Sequence, residues 1–354
     1  MDVRNISRRS FFEDNREVNS SAAGISVDGP SRTAQIVFGV VILLAGFTGV
    51  LGNGLALHAL YACRALRNPK HYLVANLCIA GGLLCVVYCP VTVWASFAHT
   101  WPFGQLGCDM FGFSVSVMVI VLMTTQLAIA VQRFAVAIKP LTAAVSITRG
   151  RMLLSAAFTW LYSALLMLPP LLGWNRFIID QSGVSVMFDY LALDGLSRAY
   201  VIVLVVFAFA VPLIGIVCCY MYIFFAVRRS RQDANVTCKR EAKTALVALR
   251  YSALFCASWT PFAAVVLLTQ CKVTVSINFG MVASAISKCS STIHPMMFAW
   301  SLPVVRRYHK VAWSPALLAS VRFPSSAPRQ RSLGSGRKLI RLDSRLSQGG
   351  KTGN

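Results

Sequence analysis

The chain has 354 residues, 56% hydrophobic and only 13% charged, with a formal net charge of +22 and a mean hydropathy of +0.63. A composition this apolar excludes an ordinary soluble domain. The basic excess sits in loops between apolar runs and in the C-terminal tail, so it marks one face of a membrane protein, drawn to anionic lipid, and not a nucleic-acid surface.

Residues 1-33 hold five Arg against five acids and are neutral. No apolar core precedes residue 34, so no cleavable signal peptide is read and the first span acts as its own insertion signal. Asn5 (Asn5-Ile6-Ser7) and Asn19 (Asn19-Ser20-Ser21) open acceptor triplets for N-glycosylation on an outer segment. A third triplet, at Asn235, falls on the opposite side and is expected to stay unused.

Seven windows of membrane-spanning length follow, at roughly 35-60, 72-97, 108-134, 151-172, 199-227, 243-269 and 274-301. Such runs are longer than a barrel strand needs, which leaves helices. The expected fold is an all-α membrane protein: an extracellular segment over 1-33, a seven-transmembrane helix bundle over 34-305, and a disordered, basic, Ser-rich tail over 306-354. The loops after spans 1, 3 and 5 are basic (for example Arg64, Arg67, Lys139, Arg149, Arg228, Arg229), and the tail from 302 carries eleven Lys/Arg against the single Asp343. This alternation predicts the N-terminus outside and the C-terminus cytoplasmic, in the plasma membrane.

Span 1 carries Gly49, Gly52, Asn53 and Gly54, small residues for close helix contact with one structural amide. Span 2 holds Asn76, Gly81-Gly82 and Pro90, and no carboxylate. Span 3 opens at Cys108-Asp109 and closes at Gln132-Arg133-Phe134, where Arg133 is either an interfacial anchor or a switch. Span 4 has Trp160 and a stiff exit at Pro169-Pro170. Span 5 has Pro212 and Tyr220. Span 6 carries Trp259, Pro261 and Phe262, the proline permitting a bend.

Span 7 contains Lys288 among small and hydroxyl residues (Ser284, Ala285, Ser287, Cys289, Ser290, Ser291), seven residues before Pro295. An ionisable group at bilayer depth is expensive and by default functional. Snorkelling to an interface works poorly so far from either end of the run. Such a lysine either pairs with a buried carboxylate or gives up its charge to a covalent partner such as an aldehyde.

Together these residues make the chain resemble an opsin of the rhodopsin-like receptor family, and a non-visual one, over about 34-305. The likeness rests on Asn53, Asn76-Leu77, Cys108 with Gly112-Phe113, Arg133 with Lys139-Pro140, Trp160, the run Pro169 to Phe177, Pro212, Tyr220, Trp259, Pro261 and Lys288. The resemblance implies retinal (11-cis or all-trans) bound covalently to Lys288 as a Schiff base, with Trp259, Phe262 and Phe111 in its pocket. It also implies a heterotrimeric G protein as partner, with arrestin and a receptor kinase, and no metal. Arg133, Gln132, Tyr220, Pro261, His294, Pro295 and Phe298 fall on switch positions.

The departures from that pattern are specific. The acidic position of span 2 falls on Gly81. The Asp/Glu-Arg-Tyr motif falls on Gln132-Arg133-Phe134, and the Asn-Pro-x-x-Tyr motif on His294-Pro295-Met296-Met297-Phe298. The usual partner of Cys108 falls on Val186, leaving Cys108 without its usual partner for a disulfide. The span 3 counterion position of visual opsins falls on Phe111. Six acids lie between Gln35 and Lys272; of these, Asp180, four residues after Arg176, matches the outer-loop counterion of many non-visual opsins, with Asp109 second. Three functions remain open: a light-activated receptor with weakened coupling, a retinal photoisomerase or retinoid-binding protein with little signalling, and a receptor for a diffusible ligand. The first and third are not enzymes. Ser332, Ser335, Ser344 and Ser347 in the tail sit among arginines as candidate kinase sites.

Overall fold

The computed structural model describes residues 30–62, 68–138, 147–180, 182–229, 236–302 and 305–306, with no side chains described over 226–245. Asn5, Asn19, Lys139, Pro140 and the tail serines lie outside the described residues. By internal contacts the chain divides into Met1–Val311 and Ala312–Asn354, and every described residue belongs to the first unit.

Among the described residues that unit holds seven long helices: α1 (Arg32–Ala62), α2 (Tyr72–Ala98), α3 (Gly104–Ile138), α4 (Arg149–Met167), α5, α6 (Val236–Gln270) and α7 (Ile277–Ser301). Helix α5 runs as Gly195–Leu204, a π-helical turn Val205–Ala210, and Val211–Arg229. Short 3₁₀ segments, Pro69–His71 and Pro169–Leu172, lead into α2 and out of α4. Large apolar side chains such as Leu44, Phe47, Leu154, Phe158, Ile214 and Phe225 face outward, as they do when the outer solvent is lipid.

Six of the helices are apolar enough to cross a membrane by length and composition, and α7 falls short. The lower hydropathy of α7 has a physical reason. Ser284, Ser287, Lys288, Ser290, Ser291, Thr292 and His294 of α7 are all buried. Its polar residues face the bundle and lower the average, while Phe279, Val282 and Ile286 stay exposed on its outer side.

Polar side chains fasten the helices where lipid offers no partner. Asn76 on α2 donates to Thr125 Oγ1 on α3 at 2.8 Å and to Thr159 Oγ1 on α4 at 3.3 Å, and accepts from Trp160 Nε1 at 2.9 Å. Asn53 donates to the Thr292 carbonyl at 3.1 Å, tying α1 to α7. Bonds of this kind in membranes contribute about 0.6–2 kcal/mol each.

The π turn of α5 follows from Pro212. The Val211 N–H bonds the Val206 carbonyl, five residues back, and Pro212 has no N–H to offer the Phe207 carbonyl. The orphaned oxygen instead accepts the Tyr162 hydroxyl of α4 at 2.9 Å. A π turn of this kind re-aims the side chains around it, here Val205, Ala208 and Phe209, toward the interior cavity.

Between α4 and α5 the chain forms a hairpin, β1 (Phe177–Ile179) and β2 (Val186–Phe188), antiparallel with Phe177 opposite Phe188 and Ile179 opposite Val186. It lies against α3 at Gly112, where a Cβ would come within 2.5 Å of the Phe177 ring and 2.9 Å of Val186 Cγ1. Only glycine lets the hairpin seat so deeply. Arg176 and Asp189 pair at 2.9 Å across the open end of the strands.

Candidate functional site

The hairpin loop and α7 meet at Lys288. Asp180 follows β1, and its backbone N–H bonds the Ser185 carbonyl at 2.7 Å, closing the loop. Its Oδ1 accepts from the Ser182 amide at 2.9 Å and from the Ser182 hydroxyl, the short-range turn chemistry that aspartate favours. Its Oδ2 then faces α7, where it accepts from Lys288 Nζ at 2.8 Å and from Ser284 Oγ at 3.2 Å.

Lys288 makes a second bond, donating to Ser185 Oγ at 2.6 Å. Ser185 in turn donates to the Tyr88 hydroxyl at 3.5 Å. The Lys288 nitrogen also lies 5.4 Å from the Tyr88 ring centre and 5.9 Å from that of Phe38, in the range of a cation–π contact. Only 3% of Asp180 and 6% of Lys288 is exposed, so the pair is screened from water. Burial alone raises the Asp180 pKa, but the Lys288 ammonium and the Ser182 bonds outweigh it and hold the carboxyl below its ordinary value.

From this pair an apolar cavity opens into the bundle. Lys288 lines it together with Val115, Val119 and Met123 of α3, Val186 to Phe188 of the hairpin, Ala208 and Phe209 of α5, and Trp259, Phe262 and Ala263 of α6. Ser116 and Lys288 apart, the lining is apolar or aromatic. Trp259 is fixed by its Nε1 bond to Ser291 Oγ at 3.2 Å and by edge-on contact with Phe262 at 6.0 Å. Tyr190, just after β2, packs edge-on against Phe262 at 5.9 Å.

The structure brings Lys288, Asp180, Trp259 and Phe262 together. It places Phe111 and Asp109 elsewhere. Phe111 is not among the cavity-lining residues and packs instead on Tyr88 at 6.1 Å and Trp101 at 5.2 Å. Asp109 is half-buried on α3, where it accepts from Gln105 Nε2 at 2.8 Å. Cys108 is a buried free thiol, and Cys271 an exposed one. Ser185, Ser284 and Tyr88 were not read as site residues from the sequence; Ser284, one turn before Lys288, carried the only local signal.

Of the switch positions, Pro261 sits between the cavity-lining Trp259 and Phe262, and none of them is itself among the cavity-lining residues. Arg133 and Gln132 are buried, and Gln132 donates to Met152 Sδ of α4 at 3.1 Å. Phe298 packs edge-on against Tyr251 at 6.0 Å, and Tyr220 is buried on α5. His294 shares a bond with Ser290 Oγ at 2.8 Å and meets the Phe255 ring at 5.6 Å. Gly81 lies under Pro295, where a Cβ would come within 2.7 Å of the proline ring. Pro261 lies inside α6 and Pro295 inside α7.

Comparison with known proteins agrees with this architecture. Residues 52–298 match the family described as 7 transmembrane receptor (rhodopsin family). The Gq-coupled rhodopsin of Mizuhopecten yessoensis is 32% identical over 297 residues, covering 78% of this chain and 60% of the relative. The melanopsin of Podarcis siculus is 31% identical over 298 residues, covering 80% and 62%. The chain thus spans about three fifths of the length of these curated relatives. The crystal structure of squid rhodopsin superposes with a TM-score of 0.73 at 22% identity, covering 84% of this chain and 90% of that one. With seven helices, a matched segment covering most of the chain and the same fold in squid rhodopsin, this multi-pass membrane protein belongs to the rhodopsin family of seven-transmembrane receptors.

Proposed function

We propose that the protein is a photoreceptor that binds retinal covalently at Lys288 and signals to a heterotrimeric G protein from the plasma membrane, with its N-terminus outside and its C-terminus cytoplasmic. The observation that carries this reading is Lys288 in the lining of an apolar, aromatic-walled cavity, paired to Asp180. A conjugated polyene aldehyde fits that chemistry: an apolar wall for the chain and one amine for the aldehyde. Bound there, retinal supplies light absorption and isomerisation.

The protein's own groups do the rest. Asp180, fixed through Ser182 and Ser284, serves as counterion to the Lys288 nitrogen and keeps its positive charge at neutral pH. Trp259 and Phe262 form the α6 wall of the cavity, and Pro261 beside them permits the bend that carries movement along α6. Arg133 and Tyr220 stand at the G-protein end, where arrestin and a receptor kinase would also dock.

A second reading, a photoisomerase or retinoid-binding protein with little signalling, is favoured by one region. Gln132 is engaged with Met152, Phe298 has no hydroxyl to offer, and Gly81 holds no acid. The test is addition of 11-cis and all-trans retinal to membranes holding the protein. The expected result is an absorption band that Lys288→Ala abolishes, with light-dependent nucleotide exchange on a G protein. A band without exchange selects the second reading; no Lys288-dependent band refutes both and leaves a receptor for a diffusible ligand.

A further inference from the structure

The ammonium of Lys288 has two acceptors, the carboxylate of Asp180 at 2.8 Å and the hydroxyl of Ser185 at 2.6 Å. Condensation of that amine with an aldehyde forms one C=N bond. Two of its three N–H hydrogens leave with the carbonyl oxygen as water, so a single N–H remains for two acceptors. Ser185 is no loop accident: its carbonyl holds the Asp180 amide at 2.7 Å, it is fully buried, and its hydroxyl points on to the phenol of Tyr88 at 3.5 Å. Tyr88 is 1% exposed and stacked on Phe111.

Resting on the photoreceptor reading, we propose that Ser185 and Tyr88 form a neutral hydroxyl branch beside Asp180 that positions the Lys288 nitrogen and sets how tightly it holds its proton. Ser185 accepts from Lys288 and donates to Tyr88, so the dipoles of both hydroxyls align to favour positive charge on the nitrogen. The Tyr88 ring adds its negative face at 5.4 Å. The branch carries no charge of its own and tunes a state that Asp180 makes possible. The other titratable groups near Lys288 are Cys289, its neighbour on α7, and Cys89 on α2, beside Tyr88; neither is hydrogen-bonded to Lys288 among the described contacts. Phe38 of α1 contributes only a ring.

The experiment compares wild type, Ser185→Ala, Ser185→Thr and Tyr88→Phe in two forms. In the retinal-loaded protein, the visible band is titrated to its ultraviolet, deprotonated form. Loss of one hydrogen bond to a charged group shifts that midpoint downward by about one pH unit or more in Ser185→Ala. Tyr88→Phe gives a smaller shift in the same direction, and Ser185→Thr restores the wild-type midpoint. In the retinal-free protein, the pH dependence of reductive methylation at Lys288, read by peptide mass spectrometry, moves the same way, because a less stabilised ammonium yields free amine at lower pH. Unchanged midpoints in both forms for Ser185→Ala overturn the proposal, as does failure of Ser185→Thr to rescue. A wild type with no Lys288-dependent band refutes the photoreceptor reading instead, and the methylation profiles still decide whether the branch acts on Lys288.

Discussion

Replacing Asp180 with Asn leaves the buried Lys288 ammonium with neutral partners alone. Removing one member of a buried pair costs about 3–5 kcal/mol, so thermal unfolding of retinal-free Asp180→Asn in detergent should fall well below wild type. The double variant Asp180→Asn, Lys288→Met should recover much of that loss, because no unpaired charge stays behind. The same pair gives the protein an acid limit. The Asp180 carboxyl lies below its ordinary value, so its contribution is complete above the unfolded carboxyl pKa of about 4 and is lost as pH falls through the lower folded value. Unfolding temperatures measured from pH 7 down to pH 3 should therefore drop more in wild type than in the double variant; parallel curves would show that Asp180 is not held ionised.

Helix approach is decided by which atoms face a glycine. A Cβ at Gly81 meets the Pro295 ring at 2.7 Å, and that ring cannot rotate away. At Gly52 the nearest atoms belong to Met296, whose flexible side chain can move aside. Gly81→Ala should thus cost about 1–3 kcal/mol by overpacking, and Gly52→Ala clearly less, in a thermal-unfolding comparison of the two. Equal costs would mean that α2 and α7 are not pinned at Pro295. Within α5, Tyr162→Phe strips the partner from the Phe207 carbonyl, which the Pro212 ring leaves without a backbone donor. The expected loss is about 1–3 kcal/mol, and Pro212→Ala added to it should restore stability by supplying an N–H.

Transmission from the cavity to the far end depends on the bundle as a whole. Gln132 takes the place of a carboxylate beside Arg133 and is directed to Met152; His294 and Phe298 take the places of an amide and a hydroxyl on α7. One loss releases a restraint and the others remove contacts that link the helices, so coupling to a G protein should be weak in dark and light alike. Replacing Gln132 with Glu, His294 with Asn and Phe298 with Tyr, singly and together, should raise light-dependent nucleotide exchange. A wild type already at the amplitude of an ordinary light-activated receptor, with nothing gained from the three replacements, would contradict this. Adding an acid at Gly81 is not an equivalent restoration, because Pro295 occupies the space its side chain needs.

Hydrophobic runs of bilayer length and a single lysine within the last of them were readable in the sequence, since each is a property of local composition: a backbone in lipid must close its own hydrogen bonds, and a charge there must have a use. The scarcity of acids left six candidates between Gln35 and Lys272, and the resemblance put Asp180 first with Asp109 second. The contact of Asp180 with Lys288, like those of Ser185, Ser284 and Tyr88, depended on where the hairpin seats against α3, and Gly112 permits that seating because a Cβ there would meet Phe177 and Val186 of the hairpin. Phe111, expected at the cavity, packs on Tyr88 and Trp101 instead, a contact between segments that spacing along α3 does not show. Spacing along one chain fixes which residues share a helix face; which faces meet is set by packing between segments as distant as Asn53 and Thr292, 239 positions apart, and only the tertiary structure decides it.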